Sequence, residues 1–266
     1  MNILEAIILG IIQGVTEFLP VSSSGHLQIV KALLGVELEE NITFDLALHA
    51  GTVCSTILVL WPEIAKIFKG LFARPLNNEQ SYLLKIALSM IPVAIVGFTL
   101  EDTLNEMLSS PSIMIIVGSM LLITAILLAY ATYAKPRIKD TISYRDSFII
   151  GIAQAVAVMP GISRSGATIA TGLILGNKKE SVAQFSFLMV LVPILGKSFL
   201  SLVGGDTTLS SVGAVPMAAG FLASFVVGTL ACKFMINIIK RGKLIWFAYY
   251  CLIAALFSYI LYFINN

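Results

Sequence analysis

The chain has little charge and few of the side chains that carry acid–base chemistry in soluble enzymes. Only 12% of its 266 residues are charged and only 2 are histidines, whereas 58% are hydrophobic. This balance excludes an ordinary soluble domain and predicts an all-α polytopic membrane protein. The formal net charge is only +2, and we expect no nucleic-acid partner.

Cysteine is also scarce, and its spacing excludes a cysteine metal site. Cys54, Cys232 and Cys251 each lie alone in an apolar run. Isolated thiols in such runs are typical of residues that only pack. We therefore expect none of the three to take part in chemistry.

The polar groups that are present concentrate in one stretch, Gln13 to His26, inside an otherwise apolar segment. Ionisable groups at membrane depth are costly, so by default they mark a functional site. Pro20 is expected to break the helix, and the serines after it suit the N-cap of a second helix. Each half is shorter than the roughly 20 apolar residues that span a bilayer. The pattern predicts a re-entrant hairpin with the polar groups at its tip.

A second interrupted segment, at about 148–176, resembles the first. Gly10-Ile-Ile-Gln13 corresponds to Gly151-Ile-Ala-Gln154 at an offset of 141 residues, and the same offset relates Ser24-Gly25 to Ser165-Gly166. Each copy is followed by three apolar runs, and because three is odd the second copy must be inverted in the membrane. We predict an inverted-topology repeat with six spanning helices and two re-entrant broken-helix hairpins. Residues 1–266 then form a single membrane domain with halves at about 1–134 and 142–266.

The distribution of basic residues predicts the orientation. The connections around 62–81, 134–146, 177–180 and 240–243 all carry lysine or arginine, whereas those around 35–42, 100–111 and 204–211 carry none. Basic connections lie preferentially on the cytoplasmic side. The first hairpin should therefore open to the outside and the second to the cytoplasm, with both termini outside.

Both expected tips offer groups that bind anions. The second tip contains Ser163, Arg164 and Ser165, and the first contains three consecutive serines, Ser22, Ser23 and Ser24. A helix N-terminus presents free backbone N–H groups and the positive end of its dipole, and a guanidinium matches phosphate oxygens. Two such ends that face each other predict a phosphate or diphosphate site. The alternative is that the tip only permits a kink while Arg164 pairs with a carboxylate.

Gln13 and Glu17 are four residues apart, so on a helix they lie on one face. Carboxylate and amide oxygens suit Mg²⁺ or Ca²⁺, and the oxygens of a diphosphate would complete the ligand shell. The alternative, which can coexist with metal binding, is that Glu17 neutralises Arg164 across the two tips.

His26 follows Ser22 and Ser23 by four and three residues, within reach on one helical turn. An imidazole that activates a serine or a water molecule would create a phosphotransfer site. The alternative is a structural, hydrogen-bonded histidine. Asp45 and His49, also four residues apart, either line the pocket and assist Glu17 or only satisfy each other. Four lysines in or beside apolar runs are expected to extend to the membrane interfaces, namely Lys31, Lys85, Lys197 and Lys233.

The two polar segments resemble the diagnostic motifs of the undecaprenyl-diphosphate phosphatase family, the integral-membrane bacitracin-resistance proteins. One motif is (Glu/Gln)-Gly-x-Thr-Glu-Phe-Leu-Pro-Val-Ser-Ser-(Ser/Thr)-Gly-His, here Gln13 to His26. The other is Pro-Gly-x-Ser-Arg-Ser-Gly-(Ala/Ser)-Thr, here Pro160 to Thr168. Both motifs are long, and the resemblance covers the whole chain. Many members carry Glu where this chain has Gln13, whose amide can bind a metal but adds no charge.

The resemblance implies an enzyme that hydrolyses the terminal phosphate of a C55 polyprenyl diphosphate. This reaction regenerates the lipid carrier of peptidoglycan synthesis and confers resistance to bacitracin. The resemblance also implies a multi-pass protein of the bacterial cell (inner) membrane, dependent on Mg²⁺ or Ca²⁺, with an active site that opens to the outer face. By position, Glu17 and Gln13 would bind the metal, and Ser23 and His26 would supply the nucleophile or phosphate ligand and its acid/base. The phosphate loop would be Ser163, Arg164 and Ser165.

Transport is the competing function, because inverted repeats with broken helices are best known in secondary transporters. A carrier needs charge complementarity to a phosphorylated lipid but no acid/base, so the presence of His26 beside Ser23 favours an enzyme. The chain's assembly state is left open between a monomer and a homodimer.

Overall fold

The computed structural model describes residues 1–36, 42–72, 77–134, 139–196 and 212–265, and their regular elements are α-helices. The helices are α1 (Ile3–Phe18), α2 (Ser23–Leu34), α3 (Ile42–Val59), α4 (Trp61–Gly70), α5 (Asn78–Thr99), α6 (Glu101–Leu108), α7 (Ile113–Tyr133), α8 (Tyr144–Val156), α9 (Arg164–Ile174), α10 (Lys179–Met189), α11 (Ala214–Arg241) and α12 (Ile245–Asn265). After a turn at Val190, residues 191–196 continue the direction of α10 as further helix. The predicted loops at 37–41 and 204–211 lie outside the described residues, as does Lys197.

Within the described residues, five helical segments are long and apolar enough to cross a membrane, and α3 with α4 makes a sixth if this pair, bent by 73°, is one span. Large apolar side chains face outward from these helices, such as Ile126, Leu230 and Phe263. Exposed apolar surface on this scale is unfavourable in water and suits contact with lipid. The chain is therefore an all-α polytopic membrane protein, as its composition predicts.

Both interrupted segments form the predicted pairs of short helices. α1 has 16 residues and α9 has 11, so their lengths are about 24 Å and about 17 Å, less than the hydrocarbon thickness of about 30 Å. α1 ends at Phe18 because Leu19, the residue before Pro20, is extended. The serine cap that the sequence predicts after Pro20 is Ser22, and Ser163 caps α9 in the same way.

The packing of the two hairpins follows the sequence repeat. α1 lies along α11 and α8 lies along α5, while α7 and α12 pack against each other. The corresponding glycines, Gly10 and Gly151, are the points of closest approach. A Cβ at Gly10 would clash with the carbonyl oxygen of Gly220, and a Cβ at Gly151 would clash with that of Ser89. The first helix of each hairpin, α1 or α8, thus packs through a glycine against a long helix of the other half of the chain.

Two polar connections are helical rather than irregular. The basic connection after Trp61 contains α4, which begins with a proline in its first turn, where the missing N–H has no helical partner to lose. The acidic connection after Leu100 contains α6. Their charged residues interrupt the apolar runs and identify them as connections, but they do not exclude a short helix.

Candidate functional site

The two hairpin tips share the same pattern of capping hydrogen bonds. The hydroxyl oxygen of Ser22 accepts a hydrogen bond from the backbone N–H three residues on at 3.2 Å, and that of Ser163 does the same at 3.0 Å. In each tip the cap hydroxyl also lies 3.3 Å from the hydroxyl of the serine two residues on, Ser24 or Ser165. The predicted serines of both tips are therefore tied into the first turns of α2 and α9.

The tips meet through a pair of opposite charges. Arg164, the first residue of α9, donates from Nη2 to Oε1 of Glu17 near the end of α1. The Glu17 side chain is only 5% exposed, and that of Arg164 is 25% exposed. Ser165 adds a second link, because its hydroxyl donates to the carbonyl oxygen of Leu19 at 3.2 Å. The ion pair that the sequence left as an alternative is present, and it brings the two halves of the chain together.

The second oxygen of Glu17 collects two more donors. Oε2 accepts from Nε2 of Gln13 at 2.9 Å and from Oγ of Ser23 at 2.8 Å. Gln13 and Glu17 share one face of α1, as their spacing predicts. The carboxylate is therefore placed to receive the proton of Ser23 if this hydroxyl acts as a nucleophile.

The expected contact between His26 and the hydroxyl of Ser23 is wrong. His26 Nδ1 lies 2.8 Å from the carbonyl oxygen of Ser22, and Nε2 lies 2.8 Å from the hydroxyl of Tyr250 on α12. A side chain in the first turn points back toward the helix N-terminus, and this brings the ring to the carbonyl of the cap residue. Both ring nitrogens are thus engaged away from Ser23.

His49 joins the site, whereas Asp45 does not. Nδ1 of His49 lies 2.9 Å from Nε2 of Gln13 and 3.6 Å from Oε2 of Glu17. The shorter contact defines the hydrogen bond, and because the amide is a donor, Nδ1 must accept. Asp45 instead accepts from the buried ammonium of Lys31 at 2.7 Å and 2.8 Å. Lys31, which is expected to extend to a membrane interface, has a side chain that is 1% exposed and pairs with this carboxylate of α3.

The donor set for a metal ion is small. Among the described residues there is no cluster of three or more His, Cys, Asp or Glu side chains that could hold one. However, Oε1 of the fully buried Gln13 has no hydrogen-bond partner, while Nε2 of the same amide group contacts the carboxylate of Glu17. An amide oxygen and a carboxylate fit a hard cation that takes its remaining ligands from substrate oxygens.

A small pocket opens beside the charged pair. Its lining combines the site residues with an apolar wall and one further hydroxyl, namely Glu17, Phe18, Arg164, Ser165, Ser186, Phe187 and Val190. Ser186 is buried and lies 2.6 Å from the hydroxyl of Thr168. Neither Ser186 nor Tyr250 was predicted from the sequence, since a single hydroxyl in an apolar run gives no motif. The repeat offers one signal, because Ser186 stands at the position that corresponds to Asp45.

Comparison with known proteins gives a consistent result. Residues 6–257 match the family model described as bacitracin resistance protein BacA. The chain is 56% identical over 259 residues to the undecaprenyl-diphosphatase of Parabacteroides distasonis, which covers 96% of this chain and 97% of that one. It is 55% identical over 259 residues to the protein of the same name in Bacteroides thetaiotaomicron, with the same coverage. A more distant relative with this name, from Methanosphaera stadtmanae, is 37% identical over 98% of both chains.

Proposed function

The chain belongs to the bacitracin resistance protein BacA family, and we propose that it hydrolyses undecaprenyl diphosphate, the C55 polyprenyl diphosphate, to the monophosphate and inorganic phosphate. The names of relatives that align with nearly the whole chain support this activity. The reaction would recycle the lipid carrier of peptidoglycan synthesis. By depleting the diphosphate that bacitracin binds, it would also confer resistance to this antibiotic.

The observation that carries the proposal is the convergence of Glu17, Ser23 and Arg164. A hydroxyl bonded to a buried carboxylate is a nucleophile with its proton acceptor, and the guanidinium beside them suits a phosphoryl group. The N-termini of α2 and α9 add two sets of backbone N–H groups at the same place. A binding protein for a phosphorylated lipid has no need for the hydroxyl–carboxylate hydrogen bond.

In the proposed reaction Ser23 attacks the terminal phosphorus of the diphosphate. The new Oγ–P bond forms as the bond from phosphorus to the bridging oxygen breaks, the serine proton passes to Glu17, and the lipid monophosphate leaves. Arg164 shifts its donors from Glu17 to the transferred phosphoryl group and stabilises the charge on its oxygens. Glu17 passes the serine proton to the departing lipid monophosphate and is again an unprotonated base. It then takes a proton from the water that attacks the phosphoserine, the Oγ–P bond breaks, the Ser23 oxygen regains a proton from Glu17, and inorganic phosphate leaves.

A trapped phosphoserine at Ser23 after incubation with ³²P-labelled substrate would support this route. Full activity in Ser23→Ala would contradict it and would make direct attack by water the mechanism. Ser119→Ala is a suitable companion variant, because it removes a partly buried hydroxyl of α7 that is bonded to Ile115 and Tyr259 and not to Glu17.

We further propose that Mg²⁺ or Ca²⁺ assists the reaction, held by Glu17 and by the unpartnered Oε1 of Gln13. A bound divalent ion would supply additional neutralisation of the phosphate charge. Gln13→Glu adds a second carboxylate and is expected to lower the metal concentration needed for half-maximal activity. An unchanged metal requirement in this variant would argue against Gln13 as a ligand.

The proposed location is the bacterial inner membrane, with the site open to the outer face and both termini outside. The basic connections support this orientation, since the positive-inside rule places them in the cytoplasm. The three native cysteines would first be replaced by serine, and a single cysteine added next to either terminus. A membrane-impermeant thiol reagent is then expected to label this cysteine from the periplasmic side of intact spheroplasts.

The decisive experiment is phosphate release from undecaprenyl diphosphate by the purified protein in detergent, with Arg164→Ala and Arg145→Ala alongside. Arg145 is an exposed arginine near the start of α8 and serves as a matched control. We expect Arg164→Ala to lose activity by roughly 1000-fold and Arg145→Ala to retain it. Absence of release from folded wild-type protein would contradict the enzyme and favour lipid transport.

A further inference from the structure

Tyr250 on α12 lies outside both hairpins and outside the two motifs, yet its hydroxyl meets the only histidine of the first tip. We propose that Tyr250 is a positioning residue that, through His26, holds the strained turn from which Ser23 is presented. This inference rests on the proposed phosphatase function, in which Ser23 is the nucleophile. It assigns to His26 a role in holding the turn rather than in removing the serine proton.

The turn needs to be held because Ser22 has an unfavourable backbone conformation. Its φ is +70°, and it is the only non-glycine residue with positive φ in the part of the chain that the structure describes. Residues in such conformations persist only when their surroundings fix them. Ser23 is the next residue, so the φ and ψ of Ser22 determine where the Ser23 hydroxyl lies relative to Glu17.

Among the described residues Ser22 makes four hydrogen bonds, of which one joins its hydroxyl to that of Ser24 at 3.3 Å and two come from His26. The Ser22 hydroxyl accepts from the N–H of Gly25 at 3.2 Å. The Ser22 carbonyl oxygen accepts from the backbone N–H of His26 at 3.1 Å and from the ring at Nδ1 at 2.8 Å. In the part of the chain that the structure describes, the imidazole of His26 is thus the one side chain bonded to the carbonyl of Ser22.

Tyr250 fixes the ring that makes this contact. A carbonyl only accepts, so Nδ1 of His26 carries a proton, and in the neutral ring Nε2 is then an acceptor. The hydroxyl of Tyr250 lies 2.8 Å from Nε2 and donates to it. The two rings are nearly parallel, with an angle of 12° and centroids 5.5 Å apart. His26 is therefore restrained in one tautomer and one orientation.

The second tip lacks this arrangement and does not need it. Ser163, its cap residue, has φ −76°, an ordinary extended conformation. The residue that corresponds to His26 is Ala167, which has no side chain able to reach the cap carbonyl. The hydrogen bonds of His26 to the cap carbonyl and to Tyr250 thus occur at the tip whose cap residue has positive φ. The other tip, whose cap residue has an ordinary φ, has no equivalent of them.

Tyr250→Phe removes only the hydroxyl, and Tyr249→Phe is its matched control. Tyr249 is the preceding residue of α12, and its ring packs on Trp246 with centroids 6.1 Å apart. We expect Tyr250→Phe to lower kcat for phosphate release roughly 3- to 10-fold, the effect of one lost hydrogen bond, with KM changed less than twofold. Tyr249→Phe is expected to keep the wild-type kcat.

The variant Ser22→Gly distinguishes a role of Tyr250 in holding the strained turn from a general contribution of Tyr250 to stability. Glycine adopts positive φ without strain, so in this variant the turn no longer depends on the hydrogen bonds of His26 and Tyr250. In the Ser22→Gly background, Tyr250→Phe is expected to change kcat less than twofold. An equal loss of kcat in both backgrounds would overturn the proposal.

The two histidines of the chain allow a readout that is independent of activity. With ¹⁵N-labelled imidazoles, His26 is expected to give the signals of the Nδ1–H tautomer, assigned by comparison with His49→Asn. Tyr250→Phe should shift the His26 signals and leave those of His49 in place. Unchanged His26 signals, or wild-type kcat in Tyr250→Phe, would overturn the proposal. If the wild-type protein releases no phosphate, the proposed function fails. The NMR comparison still applies in that case, because a shift of the His26 signals in Tyr250→Phe shows that Tyr250 holds the ring and unchanged signals show that it does not.

Discussion

The two hairpin tips have the same frame and opposite chemistry. In both hairpins the first helix packs on a neighbouring helix through a glycine, and the second helix begins with a serine whose hydroxyl accepts the same cap hydrogen bond. The first tip carries Glu17, whereas no carboxylate occurs between Gln154 and Pro160 in the second. The second tip carries Arg164 at the position where the first has Ser23. The comparison teaches that the repeat supplies the scaffold, and the differences between its copies supply the reacting groups.

This division has an energetic reason. A charged side chain alone at membrane depth is costly, and the cost falls when an opposite charge lies beside it. Each half of the chain contributes one charge, so neither tip satisfies its charge until the halves pack together. The ion pair thus couples assembly of the two halves to formation of the site.

The largest effect is expected from Glu17→Gln, which removes the negative charge that distinguishes the first tip from the second. This change leaves Arg164 without its counter-charge and Ser23 without its proton acceptor, so we expect at least about a 100-fold loss of phosphate release. Glu5→Gln is the control, because Glu5 is a half-buried carboxylate of the capping box at the other end of α1 and glutamine can make the same cap hydrogen bond. Retention of more than a tenth of the activity in Glu17→Gln would argue against its role as a base.

The shared frame can be tested at its two glycines. Gly10→Ala and Gly151→Ala each place a methyl group against the backbone of a neighbouring helix, and each is expected to destabilise the protein by about 2–3 kcal/mol. Gly97→Ala on α5 is the matched control, since a Cβ there meets no atom within 4 Å. This control should be neutral or stabilising by up to about 1 kcal/mol. The measurement is the free energy of unfolding in mixed micelles, and equal values for all three variants would contradict the close approach.

The caps should respond equally to alanine and differently to glycine. Ser22→Ala and Ser163→Ala each remove one cap hydrogen bond and are expected to cost about 1 kcal/mol. Ser22→Gly should recover most of this loss because glycine removes the strain at φ +70°. Ser163→Gly gains nothing from relief of strain, because its φ of −76° is already favourable. Unfolding of the four variants under identical conditions would show this difference, and a larger gain at Ser163 would contradict it.

The smallest expected effect concerns the connection before the second hairpin. Lys178 donates a hydrogen bond to Asp140, and this bond together with the lysine charge lowers the pKa of the Asp140 carboxyl below its ordinary value of 3.8. A lowered folded-state pKa means that the contribution is present above pH 3.8 and is lost as the pH falls through the folded value. Asp140→Asn should therefore reduce Tm slightly at pH 7 and not at all once the carboxyl is protonated in both the folded and the unfolded state. A reduction that persists in acid would contradict the ion pair as its cause, and because both groups are exposed, salt should also diminish it.

The sequence by itself determined the hairpins, the spans and the identity of the charged groups at the tips. These features depend on signals that lie within about 20 residues of each other, such as the length of an apolar run, a proline break or a serine cap. The offset of 141 residues between the copies added the repeat. For the same reason the two motifs alone are enough to locate Glu17, Ser23 and Arg164.

Only the tertiary structure decided which groups pair. Ser23 donates to Glu17 and not to His26, His26 pairs with Tyr250, Gln13 with His49, and Lys31 with Asp45. In each of these pairs the two residues lie on different helices. The sequence alone does not show which faces of two helices pack against each other. The choice follows from how the arms of the hairpins pack on the spans, where a close contact through a glycine sets the depth and rotation of each helix.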